Sequence, residues 1–208
     1  MEAVDFKNAM IERHGEEIYK KISSSSVAIA GLGGLGSNIA ISLARCGVGK
    51  LLLVDFDRVD ISNINRQQYF YEQIGIKKTK ALSEIIKKIN PYINIETKCI
   101  KVTEENAQEI FDGYKIVCEA FDDAQNKAML VNALLEKTDA YIVAASGMAG
   151  YSSSNSIQTK KAMERLYLCG DFVTDIKDAN GLMAPRVAIC ANHQANMVIR
   201  LICDEYDV

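Results

Sequence analysis

With 208 residues, 49% of them apolar and 25% charged, the chain has the size of one globular domain with a generous core, so residues 1–208 are read as a single unit. A formal net charge of −3 argues against a nucleic-acid-binding surface or a cationic membrane face. The amino terminus MEAVDFKN lacks the positive and apolar segments of a secretory signal, and no later run reaches the roughly 18 apolar residues of a membrane span, so the expected location is the cytoplasm.

Residues 2–22 alternate apolar and charged positions at helical spacing, which predicts an N-terminal helical extension over 1–22 with Phe6, Met10, Ile18 and Ile22 available for burial. The serine run 23–26 ends it. VAIAG and LLLVD then read as strands around an apolar helix from Leu35 to Cys46 that stops at Gly47, a βαβ unit. An irregular polar segment, 56–75, leads to a helix with Leu82, Ile85, Ile86 and Ile89 on one face, closed by Asn90-Pro91. Strand INIET, a helix capped by Thr103 and running to Phe111, strand KIVCEA, a helix from Asp122 to about Lys137 and strand YIVAAS continue the alternation. A serine-rich stretch and an extended piece at 166–169 follow, and the polar segment over about 170–184 is expected to be mobile. Pro185 sits in the first turn of a last helix whose apolar stripe is Val187, Ala191, Ala195, Val198 and Ile202. The fold class is therefore α/β, a Rossmann-like and mostly parallel sheet with helices on both faces, preceded by an N-terminal helix.

GLGGLG sets Gly31, Gly33 and Gly36 at G-x-G-x-x-G spacing between a strand and a helix, where phosphates can approach backbone N–H groups and the positive end of the helix dipole. Asp55 closes the next strand, placed to accept hydrogen bonds from ribose hydroxyls. These residues indicate a nucleotide without separating a nicotinamide cofactor from ATP.

DFDRVDISNINRQQYF gathers Asn63, Arg66 and Gln67, and Lys78 follows Ile74-Gly75. Hydride transfer has no use for these groups. Adenylyl transfer does, because a triphosphate needs cations to hold it in line and to receive the charge that shifts onto departing pyrophosphate. KIVCEA runs into Asp122-Asp123, where a hard cation bridging phosphates could be bound, Asp122 being the better ligand. The bland alternative makes Asp122 a helix N-cap and Asp123 a complement to the helix dipole.

GLGGLG, GVGKLLLVDFD, SNINRQQ, IGIKK ahead of a helix ending in NP, and the carboxylate at Asp122 together resemble the ubiquitin-activating-type enzymes. The likeness is to the ThiF/MoeB-type adenylyltransferases that activate sulfur-carrier proteins, and it covers nearly the whole chain. It implies ATP and magnesium as cofactors and a ubiquitin-like sulfur-carrier protein with a diglycine C-terminus as partner. On the matching positions it implies that Asp55 binds ribose, that Asn63, Arg66 and Lys78 hold the phosphates, and that Asp122 positions magnesium. Gly34, Asp57 and Gln67 join Gly31, Gly33 and Gly36 among the ATP-binding positions. Arg13 matches an arginine that enters the partner subunit's site, implying a homodimer, and Cys169 sits where similar enzymes sometimes carry a thiol that receives the activated carrier or its sulfur from a donor protein.

Relatives often carry two C-x-x-C pairs that bind a structural zinc. The six cysteines here, Cys46, Cys99, Cys118, Cys169, Cys190 and Cys203, contain no such pair, so reduced thiols and no zinc are expected. The usual Asp-Asn is Asp122-Asp123, and Lys127 stands where an arginine is common. These features, with FDDA and GLMAPR, are similar to a compact zinc-free group near the thiamin branch. The rival readings are activation of a molybdopterin-type or other ubiquitin-like carrier, an NAD-dependent oxidoreductase, and a non-catalytic module that only recruits the partner. His193 is read as a packing or surface residue.

Overall fold

The computed structural model describes residues 3–175 and 181–208. Its strands are β1 (Ser26–Ala30), β2 (Lys50–Val54), β3 (Asn94–Lys98), β4 (Ile116–Glu119), β5 (Tyr141–Ala145), β6 (Gln158–Met163) and β7 (Leu166–Gly170). They form one seven-stranded sheet in the order β3-β2-β1-β4-β5-β7-β6. All neighbours pair in parallel except β6, which runs antiparallel to β7 at one edge. The five inner strands β1, β2, β4, β5 and β7 are almost continuously buried, as a sheet covered on both faces requires. The edge strands β3 and β6 are mostly exposed and carry Lys98, Lys160 and Lys161, charges that discourage pairing with another chain.

On one face, α3 (Gly34–Cys46), α4 (Lys78–Ile89) and α7 (Ala184–Ile202) cover a core that includes Ile39, Leu43, Leu82, Ile86, Val187 and Val198. On the other, α5 (Ala107–Phe111) and α6 (Ala124–Lys137) cover Phe111, Leu130 and Leu134. Gly47, at φ 88°, closes α3 in the left-handed region, and Pro185 lies in the first turn of α7. The connection from β1 leads to β2 on one side while β4 lies on the other, so a crevice opens above the carboxyl ends of β1 and β4, where ligands bind in sheets of this kind.

Several expectations need correction. The N-terminal extension is two helices, α1 (Ala3–His14) and α2 (Glu16–Ser23), because Gly15 adopts φ 82° and ends the first. Of its four candidate core residues Ile22 alone is buried, while Ile18 is exposed. Thr103 caps no helix: α5 begins at Ala107, and the side chain of Asn106 accepts from the Thr103 N–H at 2.8 Å. The helix expected from Asp122 starts at Ala124, with Asp123 as its cap. Strand β6 carries no sequence signal, since QTKKAM has no apolar alternation. The segment expected to be mobile falls in part on residues 176–180, which lie outside the described residues. At its described ends the chain is anchored, with the Asp171 N–H donating to Gly147 O at 2.9 Å and the Gly150 N–H to Gly181 O at 2.8 Å.

All six cysteines are free, and Cys118, Cys169 and Cys190 are buried. Among the described residues, no helix is long and apolar enough to cross a membrane.

Candidate functional site

The three fingerprint glycines do different physical work. Gly31 turns the chain off β1 at φ 89°, and a Cβ there would lie 2.8 Å from Ala120 O. Gly36 lets α3 rest on that turn, since a Cβ would overlap the Gly31 carbonyl oxygen. Gly33 is open: a Cβ would meet only Gln67 Nε2, at 3.8 Å. Gly33 is also the N-cap of α3 and makes no side-chain cap, leaving N–H groups of the first turn directed at the crevice.

Asp55 follows β2, 8% exposed, with Oδ2 accepting from the Leu32 N–H at 2.7 Å and Oδ1 from the Asp57 N–H at 2.7 Å. Burial pushes its carboxyl above the ordinary carboxylate range, opposed by the charge of Lys78 and by those two N–H groups. Each oxygen keeps a further lone pair for a hydrogen-bond donor. Lys78 opens α4, and its ammonium is 2.9 Å from Asp57 Oδ2.

The loop after β2 carries Asn63 and Arg66 on one turn. Asp60 accepts from the Ser62 N–H at 2.9 Å while its own N–H donates to Asn63 Oδ1 at 3.0 Å, and the Asn63 amide nitrogen makes only a long contact to Ser62 Oγ at 3.5 Å, leaving it donor capacity for a ligand. One guanidinium nitrogen of Arg66 is held by Ser62 O at 2.9 Å and Asn65 Oδ1 at 2.8 Å, leaving Nε and the other amino group as donors. Gln67 is buried, and its Oε1 has no partner among the described residues. After β4, Asp123 spends its carboxylate on the Asn126 N–H at 2.9 Å. Asp122 has no such duty among the described residues, so the capping alternative belongs to its neighbour.

These groups share one cleft of about 480 Å³, lined by Gly31, Gly33, Gly34, Asp55, Asp57, Asn63, Arg66, Gln67, Lys78 and Asp122. Three expected positions lie outside its lining. Gly36 serves packing, and Arg13 is exposed in the last turn of α1. Cys169 is fully buried on β7, its Sγ 3.5 Å from Thr159 Oγ1, and burial raises its pKa to about 11, the reverse of an activated thiol.

The cleft also holds Arg58, Lys101 and Asn126 and an apolar wall of Ile100, Val102 and Phe121, none of which the sequence reading singled out. Lys101 lies just past the carboxyl end of β3, and the rule that such ends line the crevice could have flagged it.

A glycine turn at a strand-order reversal, faced by cations and a carboxylate, is the kind of place at which α/β folds receive phosphate groups. The chain belongs to the ThiF family, whose pattern matches residues 6–208. It is 31% identical over 214 residues to the Dictyostelium discoideum adenylyltransferase and sulfurtransferase MOCS3, covering 92% of this chain and 48% of that protein. It is 45% identical over 95 residues to ubiquitin-like modifier-activating enzyme 5 of the same organism, covering 46% of this chain and 25% of the relative. The chain thus spans about half or less of the length of these curated relatives. In fold it is similar to the E. coli tRNA N6-threonylcarbamoyladenosine dehydratase TcdA solved in complex with ATP, at a TM-score of 0.85 and 20% identity, covering 95% of this chain and 93% of that one.

Proposed function

We propose that the protein adenylates the C-terminal diglycine carboxylate of a ubiquitin-like sulfur-carrier protein, using ATP and releasing pyrophosphate, in the cytoplasm and in the service of thiazole formation for thiamin. The observation that carries this reading is the convergence of Arg66, Lys78 and Asp122 on the cleft beside Gly33. Names among its relatives that include adenylyltransferase and ubiquitin-like modifier-activating enzyme support it.

In this reading the adenine lies against Ile100, Val102 and Phe121, and Asp55 accepts from the ribose. The first turn of α3 and the Asn63 amide donate to phosphate oxygens. A carrier carboxylate oxygen attacks the α-phosphorus, forming the acyl–phosphate bond as the bond to the bridging oxygen breaks, and the electron pair leaves with pyrophosphate. Lys78 and the unclaimed donors of Arg66 receive the charge that accumulates there. The nucleophile is already ionised at neutral pH, so positioning and charge stabilisation replace a general base.

Magnesium commonly takes one or two protein carboxylates and completes its shell with phosphates and water, and an exposed carboxylate at the cleft, relieved of capping by Asp123, fits that habit. Asp122 would hold it, and the ion would neutralise phosphate charge. Arg13, at the exposed end of α1, would act in the cleft of the partner subunit of a homodimer, and a sulfur-donor protein would consume the acyl adenylate.

Incubation with candidate carriers and ATP, followed by intact-mass measurement, is expected to show an AMP adduct on one carrier, matched by carrier-dependent exchange of pyrophosphate into ATP. Exchange with no carrier of any class, by a protein that still binds ATP, would sink the assignment. Arg66→Ala is expected to lower the exchange rate by roughly 10³-fold, about 4 kcal/mol.

A further inference from the structure

We infer that Glu119 and Lys127 form a clamp that aims Asp122 into the cleft, making both of them positioning residues for the metal-holding carboxylate. Glu119 ends β4 with no solvent exposure, although it carries a carboxylate. Its Oε1 accepts from the Phe121 N–H at 2.7 Å, and its Oε2 lies 2.8 Å from the Lys127 ammonium. That ammonium also donates to Phe121 O at 3.0 Å. Both polar groups of the residue immediately before Asp122 are therefore gripped, one by each member of a single ion pair.

The oxygen of Phe121 belongs to the same peptide plane as the nitrogen of Asp122, so holding it fixes the plane that carries the Asp122 Cα and leaves φ of Asp122 as the one rotation that sets how its side chain leaves the backbone. On the other side, the cap made by Asp123 on the Asn126 N–H fixes the next turn. The strand behind is pinned as well, with the Ala120 N–H donating to Ala30 O at 2.8 Å and Gln194 Nε2 donating to Glu119 O at 3.0 Å. Asp122 is thus an exposed residue between neighbours whose polar groups are held, Phe121 by the ion pair and Asp123 by its cap.

An ion pair buried at the end of a strand is weak evidence for stability, because desolvation offsets the attraction. Apolar residues would fill the space behind β4 at no such penalty, so its presence next to the exposed carboxylate calls for another reason. Holding one peptide by both its donor and its acceptor supplies that reason. The Lys127 side chain is spent on Glu119 and Phe121 and does not line the cleft, so its part is to hold the turn rather than to touch a ligand.

The inference rests on the reading of the cleft as a magnesium–ATP site. The test is titration with a fluorescent ATP analogue, in EDTA and over a magnesium series, for wild type, Lys127→Met and Lys127→Arg. In EDTA all three are expected to bind alike, whereas Lys127→Met should need about tenfold to a hundredfold more magnesium for tight binding, the usual effect of losing a residue that orients a ligand. Lys127→Arg, which keeps a cation with several donors, should restore the wild-type requirement. If Lys127→Met leaves Glu119 too poorly compensated to fold, the double variant Lys127→Met/Glu119→Gln removes both charges and gives the same readout. A folded variant with the wild-type magnesium requirement, or one that loses binding equally with and without magnesium, overturns the clamp. A wild-type protein whose ATP binding ignores magnesium overturns the cleft reading itself, a distinguishable result.

Discussion

Lys78 and Asp57 form an ion pair at 2.9 Å on the wall of the cleft, with the lysine side chain 8% exposed and the aspartate 48%. The lysine is locked in place through its backbone as well, since its N–H donates to Asp57 O at 3.0 Å. Arriving phosphates would find an ammonium already oriented, with its other two protons available. Lys78→Met is expected to lower kcat/KM for pyrophosphate exchange by about 10²-fold or more, the scale of losing one preorganised donor at a developing anion. It also leaves Asp55 and Asp57 without their nearby cation, so ATP affinity should fall with it. Unchanged ATP binding in Lys78→Met would remove the lysine from the phosphate site.

Gly33 and Gly36 are expected to fail in different ways when replaced by alanine. At Gly36 the added methyl would overlap the Gly31 carbonyl, forcing α3 off β1, a strain of about 1–3 kcal/mol or more that should appear as a lower urea midpoint. At Gly33 the backbone has φ −74° and the space is open, so stability should hold while ATP affinity drops because the methyl occupies the approach of the phosphate. Equal loss of stability in both variants would contradict this division.

Which parts of the site could be read from the sequence follows from how local each signal is. The glycine turn and Asp55 are specified within one βαβ unit, where spacing and strand ends can be seen together. Arg58 and Lys101 look like ordinary surface cations until β3 is known to pair beside β2. The choice between Asp122 and Asp123 as helix cap depends on the first residue of α6, a boundary that pattern does not resolve to one position. Glu119 gave no functional signal, because a carboxylate inside an otherwise apolar strand makes sense only once Lys127 folds back from α6 to meet it.

Acid should loosen the wall around the start of α7 through Asp171. Burial alone would raise the pKa of this carboxylate. The Thr174 and Val173 N–H groups, the Thr174 hydroxyl and the Arg186 guanidinium outweigh that and hold it at about 2. A folded-state pKa below the unfolded value of about 3.9 favours the ionised form, so the stabilisation is present above about pH 4 and is lost as pH falls towards 2. The side chain is 5% exposed, so screening is slight, and the contribution at neutral pH is on the order of 1–2 kcal/mol. Asp171→Asn should therefore be less stable than wild type at pH 7 by that order, with the gap closing towards pH 2. A gap independent of pH in chemical denaturation would show that charge is not what Asp171 contributes.

Cys169 is expected to be dispensable for adenylation. Its thiol has no solvent exposure, burial raises its pKa to about 11, and its nearest polar contact is the Thr159 hydroxyl, itself 3.0 Å from His193 Nδ1 on α7. A nucleophilic thiol needs access and a stabilised thiolate, and this one has neither. In the native protein iodoacetamide should modify exposed Cys99 well before Cys169, and the order should become indistinct in denaturant. Cys169→Ala should retain carrier-dependent pyrophosphate exchange within about twofold of wild type while losing some stability, as expected for a small buried residue. Abolished exchange in a folded Cys169→Ala protein, or a thioester trapped at Cys169 by mass spectrometry, would place the thiol in the reaction, and the segment around β7 would then have to open during turnover.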